Sequence, residues 1–182
     1  MLTNPIFPEC GISNISLKKK ILVVDDERST TILLSGILKK NYDVETALSS
    51  HEAILITHKF QPDLITSDIN MPGLGGDALL HILRAWKPAI PVLVVSGSIK
   101  PDIKDKCIED GASGFIPKPV DRSLLLEEVQ KILTDTVPTT KVSESILSEV
   151  ELAIMILERE GLITREQSKE ELKSVKSRIM NS

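Results

Sequence analysis

The sequence predicts an α/β domain, a parallel sheet with helices on both faces, followed by a helical hairpin. Three observations lead there. Short apolar runs recur without polar alternation: ILVV (21–24), DLIT (63–66), PVLVV (91–95) and GFIP (114–117), with a weaker DVETA (43–47). Continuous apolar strands of this length are those buried on both faces. Each run is followed by a stretch with apolar residues at helical spacing: STTILLSGILKK, SHEAILITHKF, GDALLHILRAW, PDIKDKCIED and DRSLLLEEVQKIL. Strict β-then-α alternation implies a parallel sheet wound with crossover helices. Beyond a polar break, a second and purely helical periodicity begins.

The elements follow in order. Residues 1–17, with two prolines, a glycine and no periodicity, are expected to form a flexible N-terminus, and 18–134 the sheet domain. The lysines at 18–20 suit a solvated entrance to the first strand. Ser49 and Ser50, with Glu52 in the next turn, open the second helix. Trp86, closing the third helix before KPAIP, reads as a packing anchor. Pro101 starts the fourth helix and Gly111 follows its end. The fifth fades near Thr134, and residues 135–141 form a proline-containing linker. In the hairpin, 142–182, Ile146, Val150, Ala153, Ile154 and Leu157 share one helical stripe. Gly161 suits the turn. Thr164 and Gln167 form a capping box opening a second helix with the stripe Leu172, Val175 and Ile179. A hairpin this short does not fold alone, so its stripe needs a cover. The expected cover is a second copy or a partner protein, ahead of the chain's own sheet domain.

Composition narrows the function. The 182 residues suffice for one core plus an appendage. A net charge of −4 does not suit a nucleic-acid or anionic-membrane binder. From residue 136 on, seven Lys and Arg stand against eight Glu, which argues against DNA binding by the tail. No apolar run approaches a membrane span, and the start lacks a basic segment leading into an apolar one. A cytoplasmic location is therefore expected, with Cys10 and Cys107 as free thiols. His51, His58 and His81 lack metal-ligand spacing and suit surface or helix-face roles.

In a parallel sheet the loops after the strands gather at one edge, where ligands bind. Strand one runs into Asp25 and Asp26, strand three into Asp68, strand four into Ser96 and strand five into Lys118. Taken singly, Asp25 and Asp26 suit a helix start. Taken together, the three carboxylates would repel by about 4 kcal/mol per pair at 4 Å and an effective dielectric of ~20. Such a cluster raises a pKa, recruits Lys118 or binds a cation, and Mg²⁺ fits a small oxygen-lined site best. The stretch MPGLGG after Asp68 makes a tight loop that brings backbone close to such a ligand.

These residues resemble the receiver domain of two-component response regulators over about 19–134, with ILVVDDE, SDINMPGLGG, VVSGS and GFIPKP standing at that family's motifs. The resemblance implies a flavodoxin-like, five-stranded sheet of order 2-1-3-4-5. It makes Asp68 the phosphoacceptor for a histidine kinase or phosphotransfer protein. It makes Asp26 a direct Mg²⁺ ligand, with Asp25 acting largely through water and the backbone carbonyl of Asn70 completing the set. Ser96 matches the switch hydroxyl, Lys118 the lysine of the site and Phe115 the switch aromatic. Lys118-Pro119 is expected to be cis. Gly75 stands where many members have Asp, Ser96 replaces the commoner Thr, and Phe115 lacks a tyrosine hydroxyl.

The expected function is a phosphorylation-switched response regulator, not a turnover enzyme, acting by protein–protein contact through the face of helix four, strand five and helix five. Its expected partners are the phosphodonor, a downstream protein and a second copy through the hairpin. An alternative is a Mg²⁺-dependent phosphatase or phosphotransferase with an aspartyl phosphate. Those enzymes generally use Asp-x-Asp on strand one and a cap, whereas this chain has Asp-Asp and no insertion long enough for one. A flavin-binding flavodoxin is a third reading, poorly served by one Trp and one Tyr.

Overall fold

The computed structural model describes residues 18–97, 101–134 and 147–180. The expected N-terminus and linker, with Cys10 and Ile146, lie outside them.

Five strands, β1 (Lys20–Val24), β2 (Asp43–Ala47), β3 (Leu64–Ser67), β4 (Val92–Ser96) and β5 (Gly114–Pro117), form one sheet of order β2-β1-β3-β4-β5. Every neighbouring pair is parallel. Helices α1 (Arg28–Leu38), α2 (Ser50–Phe60), α3 (Gly76–Trp86), α4 (Pro101–Glu109) and α5 (Arg122–Thr134) connect or follow them. The hairpin is α6 (Leu147–Arg159) and α7 (Arg165–Met180). No helix among the described residues is long and apolar enough to cross a membrane.

Alternate strand residues feed two cores, as the pleat requires. Ile21, Val23, Leu64, Leu93 and Val95 pack with Leu34 and Leu38 of α1 and Leu125 and Val129 of α5. Leu22, Val24, Ile65, Val92 and Val94 belong to the opposite core, with Ala53 and Ile54 of α2 and Leu79, Ile82 and Leu83 of α3. Ser49 caps α2 by accepting from the Glu52 N–H. Gly111 and Gly161 take positive φ values of 97° and 67°, where a side chain would strain the backbone. The Lys118-Pro119 bond is cis.

The hairpin closes as its residues dictate. Thr164 N–H donates to Gln167 Oε1 at 2.8 Å, and Gln167 N–H donates to Thr164 Oγ1 at 3.2 Å. What covers its stripe differs from the leading expectation. Val150, Ala153, Ile154, Leu157, Ile163 and Val175 join the core of α2 and α3, so the chain's own domain fills the role first given to a second copy or partner. The physical reason lies in α3, which buries Leu79, Leu80, Ile82, Leu83, Ala85 and Trp86, more than one stripe's worth. A helix apolar around most of its circumference is packed on two sides, here by the sheet and by the hairpin. Burying each of Val150, Ile154, Leu157 and Val175 is worth about 1.5–3 kcal/mol, which gives a two-helix unit the support it lacks alone.

Candidate functional site

The site stands at the C-terminal edge of the sheet. Parallel pairing carries one chain past its neighbour's end. Asp25 N–H donates to Ala47 O at 3.1 Å, Asp68 N–H to Val24 O at 3.0 Å, and Lys118 N–H to Ser96 O at 2.8 Å. These bonds fix the first residue after three strands in one row. Asp25 is 1% exposed and Asp68 6%, while Asp26 faces solvent. Ligand oxygens of the three lie within 4.8 Å of one another.

Lys118 holds the carboxylates together. Its Nζ donates to Asp25 Oδ2 at 2.7 Å and to Asp68 Oδ2 at 2.6 Å. The remaining oxygens accept backbone bonds, Asp25 Oδ1 from Glu27 N–H at 2.9 Å and Asp68 Oδ1 from Asn70 N–H at 3.0 Å. Burial pushes the Asp25 carboxyl above its usual range, against the Lys118 and Glu27 hydrogen bonds, and the Asp68 charge adds to the rise. Burial alone would lower Lys118, but its bonds to Asp25 and Asp68 outweigh that and hold the ammonium above the usual lysine value. One ammonium among three acidic groups leaves excess negative charge. That imbalance, and donors that are all hard oxygens, fit a small divalent cation such as Mg²⁺.

Ser96 ends β4 fully buried, and its Oγ accepts from Asn70 Nδ2 at 3.1 Å. The structure therefore brings Asp25, Asp26, Asp68, Asn70, Ser96 and Lys118 to one cleft. Phe115 lies on β5, partly buried against the α2/α3-side core. Cys107 is buried on α4. Trp86, expected as an anchor, is 2% exposed, and the His58 ring stacks on it with centroids 6.3 Å apart.

Two supports of the site escaped sequence reasoning. Ser50 is the first residue of α2, and its hydroxyl donates to Leu74 O at 2.6 Å, tying α2 to the loop after Asp68. Gly76 opens α3 so close to the backbone of Asp68 and Ile69 that any Cβ would overlap it. The loop's three glycines signalled close approach; only the fold shows that Gly76 is the one in contact.

A sheet of order 2-1-3-4-5 with an acidic triad, hydroxyl and lysine at its C-terminal edge defines a receiver-type domain. The family model described as "Response regulator receiver domain" matches residues 21–130, and the chain belongs to that family. It is 34% identical over 141 residues to the alkaline phosphatase synthesis transcriptional regulatory protein PhoP of Bacillus subtilis, covering 77% of this chain and 59% of PhoP. It is 32% identical over 120 residues to the transcriptional regulatory protein ZraR of Salmonella typhimurium, covering 65% of this chain and 27% of ZraR. Among solved structures, the chemotaxis protein CheY4 of Vibrio cholerae superposes with TM-score 0.60 at 31% identity, over 63% of this chain and 98% of that one. A response regulator from Chloroflexus aurantiacus gives TM-score 0.62 at 27% identity, over 65% and 99%.

Proposed function

We propose that this chain is a two-component response regulator that accepts a phosphoryl group on Asp68 from a partner histidine kinase or phosphotransfer protein and passes the signal on by protein–protein contact. The observation that carries this is Lys118 bridging Asp25 and Asp68 at one rim of the sheet, with Ser96 beside them. Asp68 attacks phosphorus through a carboxylate oxygen. A new O–P bond forms as the donor's N–P bond breaks, and the donor imidazole takes back the electron pair and a proton. Little covalent chemistry is needed from the surroundings; positioning and charge neutralisation carry the rate. Lys118 supplies one positive charge to the phosphoryl oxygens, and the Asn70 N–H that now serves Asp68 is at hand as a donor. Mg²⁺, which Asp26, Asp68 and the Asn70 carbonyl would hold with Asp25 acting through water, would supply further positive charge to the phosphoryl oxygens. Ser96 is the switch hydroxyl and Phe115 the switch aromatic, biasing the face formed by α4, β5 and α5.

The setting is cytoplasmic, where kinase and regulator meet. Two copies pairing through the hairpin would use the outer face of α6, where Leu152 and Met155 stay exposed at 45% and 65%, because the inner stripe is taken. The test is incubation of the full chain with a small acyl phosphate, with and without Mg²⁺, followed by intact mass. One phosphoryl group is expected with Mg²⁺, none after chelation and none in Asp68→Asn. A variant that retains the full phosphate refutes the assignment.

A further inference from the structure

We infer that the hairpin's seat on α2 and α3 is a second regulated contact of this protein, beside the face of α4, β5 and α5: it fits the unphosphorylated form of the loop 68–76 and loosens when Asp68 is phosphorylated. This rests on Asp68 being the phosphoacceptor.

The loop is bonded to both helices that carry the hairpin, without slack at either end. On the α2 side, Ser50 Oγ donates to Leu74 O at 2.6 Å. On the α3 side, Gly76 N–H donates to Ile69 O at 3.0 Å, and Gly76 leaves no room against the Asp68 carbonyl. Within the loop, Asn70 bonds twice, through its N–H to Asp68 Oδ1 and through Nδ2 to Ser96 Oγ. A phosphoryl group on Asp68 brings oxygens that call for the same donors, the Asn70 N–H, the Ser96 hydroxyl and Lys118. The Ser96 hydroxyl can donate to a phosphoryl oxygen while still accepting from Asn70 Nδ2, but the Asn70 N–H must leave Asp68 Oδ1 to reach that group, and residues 69–75 shift with it. A shift with no slack passes to the first turns of α2 and α3, and each is an 11-residue helix that moves as a rod.

The hairpin packs on both rods, and Glu171 of α7 meets Lys87 just past the end of α3. Val150, Ala153 and Val175 are wholly buried and Leu157 is 1% exposed. Interfaces packed to this density do not deform continuously; moving one side opens gaps and lost contacts. The hairpin fits α2 and α3 where they now stand, so their displacement weakens its seat.

The chain carries its own reporter. Trp86, its sole tryptophan, closes α3 at this seam. Its ring is stacked by His58 of α2 and covered by Lys87 Nζ at 4.8 Å from the centroid, and the same Nζ lies 3.5 Å from Glu171 Oε1 of α7. Trp86 is 2% exposed in the docked state, so loosening the hairpin brings water to the indole.

The experiment is acrylamide quenching and emission wavelength of Trp86 in the full chain, with bound phosphate measured by mass on the same samples. With Mg²⁺ and a small acyl phosphate, a severalfold rise in quenching and a red shift are expected, in proportion to phosphate bound and absent in Asp68→Asn. Ser50→Ala, compared with the parent at equal phosphate bound, should show a smaller Trp86 response. Leu157→Ala, loosened beforehand, should start more quenched and gain less. Full phosphate uptake with unchanged or reduced quenching overturns the inference and leaves the phosphorylation reading standing. Absence of phosphate uptake overturns both. A full response in Ser50→Ala would overturn the route through α2.

Discussion

Gly76→Ala tests whether the start of α3 positions the phosphoacceptor. A Cβ at Gly76 would overlap the Asp68 carbonyl oxygen and lie 2.7 Å from Ile69 Cα and 2.8 Å from Asp68 C. All three obstacles are backbone, so no side-chain rotation relieves them. Ordinary contact begins near 3.4 Å, so to clear the overlapping carbonyl Asp68 and α3 must separate by more than about 1 Å, and misplacement on that scale costs about 10²-fold or more in rate. The same overpacking costs about 1–3 kcal/mol of stability, of which alanine's helix preference returns at most about 1 kcal/mol. The assay is the initial rate of phosphate incorporation from a small acyl phosphate at saturating Mg²⁺, alongside urea unfolding. The expected result is a variant destabilised by about 1–2 kcal/mol but folded, phosphorylated some 10²-fold more slowly. Parental rate and stability would refute the reasoning, because the backbone contact would then be softer than the structure makes it.

Lys118→Met should lose about 1–3 kcal/mol in urea without divalent ions, below the ~3–5 kcal/mol of a fully buried pair because Nζ reaches solvent. Mg²⁺ should return part of that loss; an equal deficit with and without Mg²⁺ would contradict a shared charge cluster. Leu157→Ala should cost about 2–5 kcal/mol in urea, and a loss within 0.5 kcal/mol or so of zero would mean that the hairpin is not packed on α3. Burial would raise Asp63, but hydrogen bonds from Lys19 Nζ and the Lys20 N–H outweigh it and hold the carboxyl below 3.8. A lowered carboxyl contributes stability that is full above its unfolded value and is lost as pH falls through the folded one. The urea-midpoint gap between the parent and Asp63→Asn should therefore hold steady down to about 3.8 and shrink below it. A gap that persists unchanged in stronger acid would remove Asp63 from the account.

The sheet and its acidic edge were legible because the residue after each apolar run differs so sharply from the run itself. Asp25, Asp68 and Lys118 follow strands whose order then forces them together, and Ser96 ends the strand between. Ser50 was legible as a helix start but not as the donor to Leu74, since that partner lies 24 residues away. The cover of the hairpin was misjudged for a related reason. Periodicity shows that Val150, Ala153, Ile154 and Leu157 share a face, but not what meets it. The missing signal was in α3, where GDALLHILRAW is apolar beyond a single stripe and so announces a second layer. Lys87 and Glu171 were opaque in the same way, 84 positions apart and joined only by the docked hairpin.

The most direct test of the central claim is to trap the acyl phosphate chemically. After reaction with a small acyl phosphate and Mg²⁺, borohydride reduces the mixed anhydride of an aspartyl phosphate to the alcohol, converting that aspartate to homoserine. Peptide mass mapping should find homoserine at position 68 alone, and only when donor and Mg²⁺ were both present. Homoserine in place of Asp25 or Asp26, or phosphate that survives with no conversion at Asp68, would contradict the account.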